Sequence, residues 1–149
     1  MDWTKLFFSP EGRIGRQAYW IGWLVLLGVN SLLGWTVIAP LVALYCWICI
    51  SAKRFHDMGK SGWLAAIPIG VGVAACFSLF PIIGAAIFAA GTGADDNATA
   101  AAVLSAVGGS MLVLVAAFFV GLGFLIWQGV AEGEAGDNRY GPPAVAAIA

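Results

Sequence analysis

Three long stretches of the chain carry no Asp, Glu, Lys or Arg: Gln17 to Ala52 (36 residues), Ser61 to Ala94 (34 residues) and Asn97 to Ala131 (35 residues). A soluble fold of this size needs charged surface inside stretches of that length. The solvent that accepts them without it is a lipid bilayer. A helix rises ~1.5 Å per residue and the hydrocarbon core is ~30 Å thick, so one pass takes about 20 residues. The first stretch is too long for one pass and just long enough for two. At its middle, Leu33-Gly34-Trp35-Thr36 followed by Pro40 suits a tight turn at a membrane surface.

This pattern predicts an all-α fold, a bundle of four transmembrane helices near residues 18–33, 36–52, 62–90 and 100–128. The third helix is long, and Pro68 and Pro81 are expected to kink it; a separate turn or re-entrant piece after Pro81 is the alternative. Gly91 to Asn97 reads as a loop. Residues 1–143 form a single membrane domain and 144–149 a flexible tail. Trp3, Leu6 and Phe7 predict a short interfacial helix, and Ser9-Pro10-Glu11 reads as the start of the next one. Arg13, Arg16, Gln17 and Trp20 would then share a helix face.

Charge sets the expected orientation. With four helices, all seven basic residues (Lys5, Arg13, Arg16, Lys53, Arg54, Lys60 and Arg139) fall on one side. The other side carries Asp95 and Asp96. Cationic loops stay inside, so both termini are expected in the cytoplasm. Three helices would export Lys53, Arg54 and Lys60. The first apolar run begins only at Tyr19, is too long for a signal core and lacks a small-residue cleavage site, so cleavage of the N-terminus is not expected.

Composition agrees: 61% of residues are hydrophobic and 10% charged, against about 25% charged in soluble domains. A net charge of −1 gives no basic field for nucleic acid. Cys46, Cys49 and Cys76 lie in apolar runs. Cys46-Trp47-Ile48-Cys49 matches C-x-x-C, but near a helix C-terminus, where the dipole does not activate a thiol. No second pair completes a metal site, so neither metal nor cofactor is expected. Small residues recur every four positions at Gly62, Ala66, Gly70, Ala74 and Ser78, and at Ala98, Ala102, Ala106 and Ser110. Such stripes favour helix packing in lipid, within one copy or in a homo-oligomer.

Three polar clusters flank the helices: Phe8 to Trp20, Lys53 to Trp63 and Gly133 to Pro143. In this order around four apolar segments they resemble a bacterial membrane protein family, domain of unknown function 805. Gly12, Arg13, Arg16, Tyr19 and Trp20 carry the first motif. Arg54, His56, Asp57, Gly59, Ser61, Gly62 and Trp63 carry the second. Asn138, Tyr140, Gly141 and Pro142 carry the third. Lys53 stands where the family pattern usually has Arg. The resemblance implies a small protein of the bacterial inner membrane and no defined activity.

Two roles suit the clusters. In the first, the middle loop (Lys53, Arg54, Asp57, Lys60) and the tail (Glu132, Glu134, Asp137, Arg139) pair their charges and clamp the helix ends of a structural, accessory or regulatory protein. In the second, Arg13, Arg16, Arg54, His56, Asp57, Lys60, Asn138, Arg139 and Tyr140 hold a lipid headgroup or another small anion, for binding or transport. The expected partners are therefore membrane lipids. Catalysis is not expected: His56 and Asp57 are sequence neighbours that do not face each other on a helix, and Ser61 is the only nearby nucleophile. No ionisable residue falls mid-helix to relay a proton, and Asn30 reads as interhelical glue.

Overall fold

A computed structural model describes residues 2–93 and 95–144. The expected tail therefore lies, apart from Ala144, outside the described residues, as does Ala94 of the predicted loop; Ala144 is buried. The described residues form helices and no β-strand: α1 (Trp3–Phe8), α2 (Arg16–Leu33), α3 (Ile38–Asp57), a 3-10 turn (Gly62–Ala65), α4 (Ala66–Phe77), α5 (Phe80–Thr92) and α6 (Asp96–Val130). Three stretches are long and apolar enough to cross a membrane: Ile38–Asp57, Gly62–Phe88 and Asp96–Val130. The chain divides into two compact units, one of Met1–Ala65 with Leu125–Ala149 and one of Ala66–Phe124.

In the first unit, Asp2 caps α1, its carboxylate accepting from the Lys5 amide at 3.2 Å. Ser9 ends this helix rather than starting the next. Its hydroxyl accepts from the Glu11 amide at 3.3 Å, and Gly12 takes φ 89°, a left-handed value that interrupts any helix here. Helix α2 begins only at Arg16, so Arg13 is not on it. Beyond α2, the chain reverses at Gly34 to Val37. The Thr36 hydroxyl donates to Leu33 O at 2.8 Å and accepts from the Ala39 amide at 3.2 Å, capping α3. Helices α2 and α3 pack against each other at Gly22, where any side chain would run into Ile50. Leu6, Tyr19 and Ile50 make the core beside that crossing. Helix α3 continues to Asp57, so Lys53, Arg54, His56 and Asp57 stand on its last turns rather than in a loop.

In the second unit, the expected kinked helix is two helices. Pro68 sits in the first turn of α4, where its missing N–H removes no helical bond. Pro81 lies in the first turn of α5, and the residues before it leave the helix at Ser78 and Leu79. The Ser78 hydroxyl closes the end of α4 on Ala75 O at 2.7 Å, and Ser110 of α6 donates to Ser78 O. The two predicted small-residue stripes thus touch at their serines. Gly93, with φ 62°, ends α5, and Asp95 caps α6, accepting from the Ala98 amide at 2.7 Å.

Candidate functional site

A helix leaves its last four carbonyls without intrahelical partners and gathers about half a negative charge there. In the first unit three helix C-termini are served by side chains from elsewhere in the chain. At the end of α6, Arg54 Nε donates to Gln128 O at 2.6 Å and Arg54 Nη2 to Ala131 O. Between them, Trp20 Nε1 donates to Gly129 O at 3.2 Å and Arg16 Nη1 to Val130 O at 3.3 Å. Four successive carbonyls are so accounted for by three residues of the first two motifs.

The end of α3 is closed by the third motif. Asn138 Nδ2 donates to His56 O at 3.0 Å, and the Glu134 amide to Asp57 O at 2.8 Å. The Lys60 amide turns back to Phe55 O at 2.8 Å. Helix α1 ends against α3, where Lys53 Nζ donates to Lys5 O at 2.5 Å and to Leu6 O at 2.7 Å, and Tyr45 Oη to Phe8 O at 3.3 Å. An ammonium meets two carbonyls without needing the planar fork of an arginine, which accounts for Lys53 at a position where the resembling pattern has Arg.

Arg13 ties these ends together. Its Nε donates to Asp57 Oδ1 at 3.2 Å. Nη1 donates to Gly136 O at 2.8 Å and Gly141 O at 3.2 Å, and Nη2 to Asp57 O at 3.3 Å and to Glu134 O. A guanidinium has five N–H donors, so every one is used on the protein. The Asp57 carboxylate lies between two cations, its second oxygen 2.5 Å from Arg54 Nη1. Arg13, Lys53, Arg54 and Asp57 are all buried. Among the described residues Asp57 is the one buried acid, against three buried cations. The remaining positive charge is balanced by the carbonyl ends of the helices, the arrangement that makes burial tolerable.

Space is as closely used as charge. A side chain at Gly133 would run into the Asp57 carboxylate, so the tail's backbone lies directly on the ion cluster. Asn138 also bonds Glu134 Oε2 at 2.8 Å, and its Oδ1 accepts from the Tyr140 amide at 2.9 Å, shaping the Asn138–Gly141 turn. The His56 ring stacks on Tyr140 with centroids 3.7 Å apart, and its Nδ1 lies 3.3 Å from Gly12 O. Arg139 lies over the Tyr140 ring at 4.7 Å and Lys60 over Trp127 at 5.7 Å.

All nine predicted site residues thus belong to one unit and sort by depth. Arg13, Arg54 and Asp57 are buried; His56, Asn138 and Tyr140 are half-buried; Arg16, Lys60 and Arg139 are exposed. The expected pairing of loop cations with tail carboxylates is not how the segments join. Among the described residues Glu132, Glu134 and Asp137 make no ion pair, and the tail contributes main-chain carbonyls instead. Trp20, Lys53 and Gly133 act here without having been picked out as site residues. An indole or ammonium hydrogen bond to a helix-end carbonyl leaves no spacing signature in the chain. No group of three or more His, Cys, Asp or Glu side chains among the described residues could hold a metal ion.

Among known proteins, the chain is 35% identical over 81 residues to the uncharacterized protein YiiR of Escherichia coli strain K12, and equally to YiiR of Escherichia coli O157:H7. The aligned region is 46% of this chain and 55% of each relative, so the chain spans about half the length of the curated relatives it matches. No solved structure matches. Residues 29–142 match the family model described as protein of unknown function (DUF805). That range holds the second and third motifs, with Arg13 reaching them from outside it; the chain belongs to the DUF805 family.

Proposed function

We propose that this is a four-pass protein of the bacterial inner membrane with both termini in the cytoplasm. Its role is structural or accessory, and its three motifs form a clamp that seals helix ends. The carrying observation is that Arg13, fully bonded inside the protein, joins α3, through the buried Asp57 carboxylate, to the tail, through its main-chain carbonyls. Residues spent in this way hold a fold together rather than wait for a ligand.

The four-pass count is supported by the α2–α3 hairpin. Helix α2 has 18 residues, about 27 Å, and packs on α3, which is long and apolar enough to cross. A hairpin joined by so short a turn crosses twice or not at all. From Lys60 the chain leaves the clamp and returns to it at Gln128, which needs an even number of passes between. Trp35 at the hairpin turn and Trp63 beside the clamp are 84% and 85% exposed, positions suited to the two aromatic belts of a membrane. Arg54→Ala is expected to lower the amount of folded protein in the membrane. Unchanged abundance and unfolding would remove the clamp.

A second reading has its own observation. Arg16, Lys60 and Arg139 are exposed near the same helix ends. Cations at a membrane surface attract anionic headgroups by ~1 kcal/mol each. On this reading the double change Lys60→Ala, Arg139→Ala, which leaves every helix-end bond of the clamp in place, reduces anionic lipid carried through purification without lowering the amount of folded protein.

A further inference from the structure

The α2–α3 hairpin carries a groove of about 490 Å³ on one face, lined almost wholly by apolar side chains. On α2 it runs from Val25 to Leu33, nine residues with a rise of about 12 Å, and on α3 from Cys46 back to Ile38. Phe7 and Phe8 of α1 also line it. That helix is fixed there by Lys53 and Tyr45 holding its terminal carbonyls. At the hairpin turn its lining includes Thr36. The Thr36 hydroxyl is already bonded to Leu33 O and the Ala39 amide.

We propose that this groove is a site for one acyl chain of a phospholipid from the leaflet at the hairpin turn. The inference rests on the reading of α2 and α3 as membrane-crossing. Three features select the occupant. Its length along α2 is close to one leaflet of hydrocarbon, half of ~30 Å. A transmembrane partner helix is ~10–12 Å across and needs a face about 30 Å long, which a groove of this volume and of about 12 Å along α2 does not provide. The chain from Gln17 to Ala52 carries no charge, so the mouth offers nothing that selects an anionic headgroup. The site reads the chain and is indifferent to the head, the opposite of what the exposed cations near the helix ends would do.

The parent protein, reconstituted in vesicles of phosphatidylethanolamine and phosphatidylglycerol, is cross-linked with each lipid in turn carrying a diazirine at its acyl terminus. Labelling is expected to concentrate on peptides containing Phe7, Val29 and Val42, equally for both headgroups, and well above that at Leu104 and Leu112, which are exposed on α6. Native mass spectrometry adds a second readout. The half-buried Ala39→Phe, which fills the groove, should lower phospholipid retention about tenfold, whereas Ala116→Phe on an exposed face of α6 should not. Groove labelling no heavier than at Leu104 and Leu112 would overturn the acyl site alone. Absence of labelling on every apolar helix would overturn the membrane reading beneath it. Labelling confined to phosphatidylglycerol would also reject the proposal, in favour of headgroup selection.

Discussion

Asp57 is the residue on which the cluster depends. It pairs with both Arg13 and Arg54, which are buried, and its own main-chain carbonyl takes a further bond from each neighbouring segment. Removing one member of a buried ionic group leaves uncompensated charge and costs about 3–5 kcal/mol. Asp57→Asn keeps the shape, removes the charge and turns one of the two acceptor oxygens into a donor facing an arginine N–H, so the loss it produces in a denaturation series in detergent measures the charge together with one hydrogen bond. Because the group is buried, that loss should change little with added salt. At Gly133 a single methyl meets the same carboxylate, and Gly133→Ala is expected to lower the unfolding midpoint markedly, whereas Gly136→Ala, with open space around it, should not. That Arg13, Arg54 and Asp57 stand at motif positions was legible in the sequence. Their bonding was not, because a guanidinium finds main-chain oxygens as readily as carboxylates, and carbonyls carry no sequence signal.

At the scale of elements, three helices end where basic or indole side chains reach their carbonyls, the favourable end of each dipole for a cation. Arg54 makes the widest reach, from Gln128 O to Ala131 O. Arg54→Lys keeps the charge but cannot span both, so amide exchange in the last turn of α6 should quicken while α3 stays protected. Trp20→Phe removes one bond, to Gly129 O, and should cost about 1 kcal/mol. The helices themselves were legible from apolar run lengths, and the hairpin turn from Gly34 to Thr36. What could not be read were two boundaries. Helix α3 runs on through its charged turn because its end is capped by the tail, far away in the chain. Helix α2 starts late because Gly12 turns the chain to deliver Arg13 to Asp57, although Ser9-Pro10-Glu11 has the local chemistry of a helix start.

For the whole molecule, a chain with few charges places three of its buried ones in a single capped cluster and leaves its long helices apolar. Membership of the DUF805 family follows from the match over residues 29–142, and within the fold the three polar clusters each supply what another lacks: cations, a carboxylate and carbonyls. If the protein crosses four times, single cysteines placed at Trp35 and at Asp95 react with an impermeant maleimide added outside intact cells, and one at Glu132 reacts only after lysis. Reaction at Glu132 before lysis would reverse the orientation.

The measurement closest to the central claim is a double-mutant cycle on the clamp, with Arg13→Gln, Asp57→Asn and the pair unfolded side by side in detergent. A shared buried network predicts large single losses and a double loss well short of their sum, with a coupling of about 1–3 kcal/mol. Small, additive losses would mean that the three motifs do not hold the helix ends together.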